Sequence, residues 1–178
     1  MRLVFAAAVL IAAIATPAAR AEDPAAREVR TAITPESVLE ELNLVRVREG
    51  REPFRKDGRL TLAAEDRIRD MIELAYWAHE SPDGGSPFVW IRMRGYGYER
   101  AGENLASGFE TAELLVASWM ESKGHRDNIL EPLFADVGIA VLEGATTGRA
   151  TGKSVVVLFG RERIAPPIRP RESAGRAP

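Results

Sequence analysis

The sequence contains no cysteine, has only two histidines among its 178 residues, and carries a formal net charge of only −2. The absence of cysteine excludes a disulfide framework, so a packed apolar core or a bound ion must hold the fold together. The nearly balanced charge gives no electrostatic reason to expect nucleic acid as a partner. Any imidazole chemistry is restricted to His79 and His125.

The one long apolar run of the sequence lies at its N-terminus. Residues 3–14 are almost entirely apolar after Met1 and Arg2, and residues 19–21 (ARA) have the small-residue pattern of a signal-peptide cleavage site. The run is too short to anchor a chain across a bilayer. The sequence therefore predicts a signal peptide over residues 1–21, cleaved after Ala21, and a secreted or periplasmic bacterial protein with no stable membrane span.

The rest of the chain divides into a linker, one domain and a tail. Residues 22–34 are Ala-rich and charged and predict a linker, while residues 35–162 are enough for one domain. Residues 163–178 are rich in Pro, Arg and Ala and predict a disordered tail.

Four helices are predicted before residue 123. Thr34 and Thr111 are capping residues that begin the first and the fourth, and the sequence after Ser86 begins the third. The second covers residues 59–78, because apolar residues recur there at intervals of three and four. On that helix Arg67 falls on the polar side, and His79 is expected just past the helix end.

Two β-rich runs, residues 137–142 and 154–159, are joined by residues 143–152, whose Gly, Thr and Ala content favours a hairpin loop. The second run is continuously apolar, as in a strand covered on both faces. Glu103 is placed on a short strand or an extended loop. The predicted fold class is α+β, a three-layer α-β-α sandwich with a small antiparallel sheet between helices.

His79, Glu103 and His125 are the residue types that bind zinc or another divalent ion. Two neutral imidazoles and one carboxylate can hold the ion and leave a fourth position open to water. The three residues are scattered over the sequence, so the alternative is that each histidine caps a helix end or forms a hydrogen bond in a partly buried turn.

Six segments of the sequence recur, in the same order, in a known family. They are residues 42–46 (LNLVR), 79–84 (HESPDG), 102–106 (GENLA), 119–130 (WMESKGHRDNIL), 137–140 (VGIA) and 158–160 (LFG). They resemble the CAP superfamily, the group of cysteine-rich secretory proteins, antigen 5 and plant pathogenesis-related proteins, in its cysteine-free bacterial SCP-like branch. The resemblance covers about residues 35–162.

The resemblance implies an α-β-α sandwich with a central cleft in which His79, Glu103 and His125 meet, a place where divalent metal binding has been proposed for the family. Eukaryotic members have a second acid three residues after the helix tryptophan. This chain has Ser122 at that position and Glu121 one step earlier. One step along a helix is a rotation of about 100°, so Glu121 is expected to point elsewhere.

Three further polar residues are assigned to the cleft: Asn104, Ser122 and Arg126. For Asn104 a structural turn role is favoured. Ser122 stands three residues before His125, which invites a serine hydrolase interpretation, but it lacks the strained elbow that exposes a nucleophile. A capping or cleft-polar role is favoured for it. Residues 126–128 are expected to form a local turn network just past the helix.

The preferred hypothesis is an exported protein whose polar cleft binds a small molecule, lipid, peptide or cell-envelope component, together with a divalent ion. The first alternative is a hydrolase of peptides or cell-envelope polymers. In it, metal-activated water acts with Glu103 or Glu121 as base, or Ser122 attacks as nucleophile, with His125 as a further catalytic candidate. The second is a lipid or sterol carrier with an apolar groove between the third and fourth helices.

Overall fold

The computed structural model describes residues 32–143 and 152–163. The predicted signal peptide, most of the predicted linker, residues 144–151 of the hairpin loop and the tail beyond residue 163 lie outside the described residues. Within the two described ranges, no helix is long and apolar enough to cross a membrane.

The described ranges contain five helices and four strands. In chain order they are α1 (Pro35–Arg48), β1 (Arg55–Lys56), α2 (Gly58–Glu73), α3 (Phe88–Met93), β2 (Tyr98–Phe109), α4 (Ala112–Glu121), α5 (Lys123–Leu130), β3 (Asp136–Glu143) and β4 (Lys153–Glu162). The strands form one sheet in the order β1-β3-β4-β2, in which β1 is parallel to β3 and the other pairs are antiparallel. The long strand β2 is therefore an edge strand.

Side chains cap three of the helices at their first turn. The Thr34 hydroxyl accepts from the Ser37 N–H at 3.1 Å, and the Ser37 hydroxyl accepts from the Thr34 N–H at 3.0 Å. Thr111 caps α4 in the same way, and the Asp57 carboxylate caps α2. Each cap satisfies N–H groups that have no partner within the helix. The predicted caps at Thr34 and Thr111 are confirmed.

The predicted C-terminal end of the second helix is wrong, because α2 ends at Glu73 and not at residue 78. Ala75 has a left-handed backbone with φ 52°. The N–H groups of Ala75 and Tyr76 bond back to the carbonyls of Ile72 and Met71. This is a Schellman ending, in which glycine usually takes the left-handed position. Alanine gives no such stop signal, and His79 consequently lies in a loop well past the helix.

The predicted three-layer arrangement is confirmed by the alternation of side chains along the central strand β4. Val155, Val157 and Phe159 pack into a core with α1, α4 and α5 on one face of the sheet. Val156 and Leu158 pack into a second core with α2 and α3 on the other face. Because successive side chains of a strand point to opposite faces, one continuous apolar run serves both cores.

Helix α2 lies unusually close to the sheet at Gly138 of β3. A Cβ atom on Gly138 would lie 2.0 Å from the carbonyl carbon of Leu60 and 2.2 Å from the Thr61 nitrogen. Only a residue without a side chain permits this approach. The contact fixes the height of α2 above the sheet, and with it the position of the polar residues two turns further along.

On the opposite face, the buried guanidinium of Arg46 on α1 joins distant parts of the chain. It donates to the carbonyl oxygens of Glu52 at 2.6 Å, Ile129 at 2.6 Å, Glu131 at 3.2 Å and Phe134 at 3.1 Å. Burial lowers the pKa of Arg46. These bonds hold the end of α5 and the segment before β3 against α1.

We expect Arg46→Met to lower the free energy of unfolding by about 2–4 kcal/mol, because it leaves four partly or fully buried carbonyl oxygens without their donor. Urea denaturation measures the change. Arg48→Met, at an exposed position on the same helix, is the control and should shift stability by about 0.5 kcal/mol or less. Equal effects of the two variants would show that the buried hydrogen bonds contribute nothing.

Candidate functional site

The candidate site is an open hollow of about 380 Å³ along the outer edge of β2. The loop that follows α2 and the start of α3 form one wall, and α5 contributes to the other. The residues that line it are His79, Glu80, Ser86, Pro87, Phe88, Ala101, Gly102, Glu103 and Asn128. It combines a few convergent polar groups with apolar ones, which is the usual character of a ligand site.

Glu103 lies inside the protein beside two partners. Its side chain is 2% exposed, and one carboxylate oxygen accepts from Arg67 Nε at 3.0 Å. The other oxygen lies 2.8 Å from Nδ1 of His79, whose side chain is 57% exposed. Because an ionised carboxylate can only accept, His79 carries its proton on Nδ1 and its other ring nitrogen is free to face the hollow. The structure therefore brings His79 and Glu103 together.

The hydrogen bond to Glu103 raises the pKa of His79, and burial opposes that shift. His125, on α5, has the opposite behaviour. Burial lowers the pKa of His125, and the nearby positive charge of His79 lowers it further. The protein therefore favours the neutral form of His125.

Side-chain hydrogen bonds join α5 to the edge of β2 next to Glu103. Asn128 donates to the Glu103 carbonyl at 3.1 Å and to the Asn104 side-chain oxygen at 2.9 Å. Asn104 in turn donates to the carbonyl oxygen of His125 at 3.2 Å. Edge strands expose unpaired backbone groups, and here side chains satisfy one of them. Asn104 was expected in a turn, but it is buried within β2 and bonds to α5.

Trp119 on α4 also bonds to the edge strand β2. Its indole N–H donates to the Leu105 carbonyl at 3.1 Å, and its side chain is buried. The His125 ring packs against it with a centroid separation of 6.1 Å. Trp119 therefore contacts both the edge strand and the His125 ring.

Residues 39–159, more than half of the chain, match the family model of the cysteine-rich secretory proteins, or CAP domain. This chain belongs to the cysteine-rich secretory protein family. It does so without any cysteine, so the CAP fold here depends on packing and on buried polar contacts.

Two curated relatives come from Bacillus subtilis. YkwD is 39% identical over 109 residues, which cover 61% of this chain and 42% of YkwD. The membrane protein YlbC is 28% identical over 104 residues, which cover 58% of this chain and 30% of YlbC. The chain thus spans less than half the length of the curated relatives it matches.

Solved bacterial structures share the fold. An extracellular SCP-domain protein from Bacillus anthracis superimposes with a TM-score of 0.62 at 22% identity, covering 76% of this chain and 41% of its own. An outer surface protein from Borrelia burgdorferi gives a TM-score of 0.64 at 21% identity, covering 72% of this chain and 92% of its own. The predicted α+β sandwich and the family resemblance are confirmed.

The CAP domain of this chain has a helix where a turn network was expected. Residues 126–128 belong to α5, and Ser122 is the junction between α4 and α5. Among the described residues, Ser122 makes no side-chain capping bond and does not line the hollow. Glu121 is exposed at the end of α4, while Arg126 is exposed and donates to the Met120 carbonyl at 3.3 Å. None of these three side chains joins Glu103 and His79.

An apolar groove between the third and fourth helices, proposed for a lipid carrier, is ruled out by the layers. Ile91 of α3 is buried in the core on one face of the sheet. Leu115 of α4 is buried in the core on the other face. The sheet separates these two helices, so no groove lies between them.

Two residues of the site are absent from the sequence-based prediction. Arg67 was expected on the polar side of its helix, but its side chain is 0% exposed and bonds to Glu103. Asn128 was expected in a local turn network, but it lies on α5, lines the hollow and binds β2. The signal for Arg67 is its position one turn before the buried Met71, although a helical polar residue there is usually solvated.

No group of three or more His, Cys, Asp or Glu side chains in the described part of the chain is arranged to hold a metal ion. Both oxygens of Glu103 already have partners, Arg67 and His79. The carboxylate therefore holds the His79 ring by a hydrogen bond and is not an unpaired ligand next to it. In metal sites, a carboxylate in that place orients the imidazole and leaves its other nitrogen for the ion. His79 offers one imidazole nitrogen at the hollow, His125 is not among the residues that line it, and the ligand set of His79, Glu103 and His125 stays a prediction.

We expect the two histidines of the metal-free protein to titrate in a fixed order, His125 at lower pH than His79. ¹H NMR of the imidazole protons measures both pKa values, and His125→Gln assigns the signals. Glu103→Gln should lower the pKa of His79, since it removes the carboxylate that favours the imidazolium. His79→Gln should raise the pKa of His125. Coincident titration of the two rings in the wild type would contradict this electrostatic arrangement.

Proposed function

We propose that this chain is an exported CAP-domain protein whose polar hollow binds a ligand together with a divalent metal ion held by His79 and His125. The observation that supports the proposal is that His79 lines the hollow with Glu103 hydrogen-bonded to its ring, while His125 belongs to α5, the helix whose Asn128 lines the same hollow. Zinc is the first candidate because neutral imidazole nitrogens are among its preferred ligands.

The chemistry of the donors favours this assignment. The ring nitrogen of His79 that is not bonded to Glu103 is the one available to a ligand, and the lowered pKa of His125 favours a neutral, metal-binding ring. A divalent ion held there would supply Lewis-acid polarisation of a ligand oxygen. His79 and His125 would hold the ion, Glu103 fixes the tautomer of His79, and Asn128 lines the hollow with its amide.

Export is supported by the N-terminal sequence pattern and by the nature of the structural relatives. Residues 1–21 have the order of a signal peptide, with a basic start, an apolar run and a small-residue cleavage site. Two solved relatives are an extracellular protein from Bacillus anthracis and an outer surface protein from Borrelia burgdorferi.

We expect isothermal titration calorimetry with zinc to detect binding to the purified protein and to detect none, or binding weaker by a factor of about ten or more, for His79→Ala and His125→Ala. Both variants remove a nitrogen ligand from an exposed or half-buried position, so the fold is retained. Circular dichroism verifies this before titration.

Glu121→Gln is the matched control, because it removes an exposed acid one residue from Ser122 without touching the hollow. Its zinc affinity should equal that of the wild type. Identical titrations for the wild type and both histidine variants would remove the metal ion from the proposal. A loss of affinity in Glu121→Gln would place the ion elsewhere.

A further inference from the structure

Arg67 on α2 is one of the two largest buried cations of the described residues, and besides an ion pair with Asp70 at 3.7 Å it bonds to Glu103 and to the backbone at His79. Nε donates to Glu103 at 3.0 Å. One terminal nitrogen donates to the carbonyl oxygens of Ala78 at 2.6 Å and His79 at 3.0 Å. The other bonds to the Tyr76 hydroxyl. One side chain therefore contacts both the carboxylate of the His79–Glu103 pair and the backbone that carries the imidazole.

Neither contact would be expected of a residue needed only to fill the core. A buried guanidinium is costly to desolvate, and an apolar side chain of similar volume is often as stabilising. Arg46 shows the contrast: it is equally buried, but its partners are carbonyl oxygens on the other face of the sheet. Of these two arginines, it is Arg67 that connects groups of the hollow.

We propose that Arg67 is a positioning residue, whose guanidinium locks Glu103 and the backbone at Ala78 and His79 into one unit and thereby presents the free ring nitrogen of His79 to the hollow. The loop that carries His79 has no helical or strand hydrogen bonds of its own at this point. Its place relative to Glu103, which lies on β2, is set by the bonds from α2. The effect on metal affinity rests on the function proposed above, whereas the effect on the His79 ring does not.

Arginine is required for this role because its planar fork donates in several fixed directions. Lysine at position 67 would keep the charge but offers a single ammonium group. It could neutralise Glu103 but would not also hold both the Ala78 and His79 carbonyls at their present angles. Arg67→Lys therefore keeps the positive charge at position 67 and removes the fixed directions of the hydrogen bonds.

The first arm of the test observes the His79 ring in the metal-free protein by long-range ¹H–¹⁵N NMR at a pH where the ring is neutral. In the wild type we expect the Nδ1–H tautomer, since Nδ1 donates to Glu103. In Arg67→Lys we expect a mixture of tautomers. Arg46→Lys is matched in burial and should leave the His79 signals as in the wild type. Wild-type signals in Arg67→Lys, or equal changes in Arg46→Lys, would overturn the proposal.

The second arm measures zinc affinity. Loss of a residue that orients a metal-binding histidine typically weakens metal binding about 10–100-fold, and we expect a loss in this range for Arg67→Lys. Arg94→Lys is the control, because Arg94 pairs with Asp66 on the same helix α2, at 2.6 Å, but away from the hollow. It should bind zinc as the wild type does. If Arg67→Lys bound zinc equally well, a role in ligand binding would be refuted.

Should Arg67→Lys fail to fold, Tyr76→Phe replaces it in both arms. This variant removes one partner of the Arg67 guanidinium at a half-buried site, so a smaller change in the His79 signals in the same direction is expected. No change would overturn the proposal. If the wild type itself binds no zinc, the proposed function fails, while the tautomer of His79 still decides the role of Arg67.

Discussion

Burial of the Arg67–Glu103 ion pair is the constraint on which the site depends. Their side chains are 0% and 2% exposed, and they come from α2 and from the edge strand β2. Removing one partner of such a pair leaves an uncompensated buried charge and typically costs about 3–5 kcal/mol. This pair joins the helix to the strand, and the bonds from Arg67 to the Ala78 and His79 carbonyls add the loop that carries His79. The ion pair also orients the His79 imidazole, because one Glu103 oxygen bonds to Arg67 and the other bonds to Nδ1 of His79.

A CAP domain without cysteine must join distant parts of its chain by other means. Arg46 bonds to carbonyl oxygens up to 88 positions away, and Arg67 links α2 to a strand 36 positions away. Gly138 lets α2 approach the sheet closely, and an apolar core is packed against each face of that sheet. Buried polar cross-links and close packing thus take the place that disulfides have in secreted domains of comparable size.

Sequence patterns predicted those features of the fold that depend only on residues close together in the chain. The caps at Thr34 and Thr111 and the two apolar strands follow from hydrogen bonding and side-chain alternation within a few residues. The end of α2 could not be predicted in this way, because Ala75 takes a left-handed conformation that alanine rarely adopts. The burial of Arg67 could not be predicted either, since its partner Glu103 is remote in sequence. His79 and Glu103 were predicted to meet through the family resemblance and not through their spacing.

The most direct test of the account is a crystal structure of the protein with zinc, with anomalous diffraction recorded at the zinc edge. We expect one peak between the rings of His79 and His125, with Nδ1 of His79 still bonded to Glu103 and Glu103 still bonded to Arg67. An ion bound by the Glu103 carboxylate itself, with His79 turned away from it, would contradict the account. So would a structure in which the two rings share no ion.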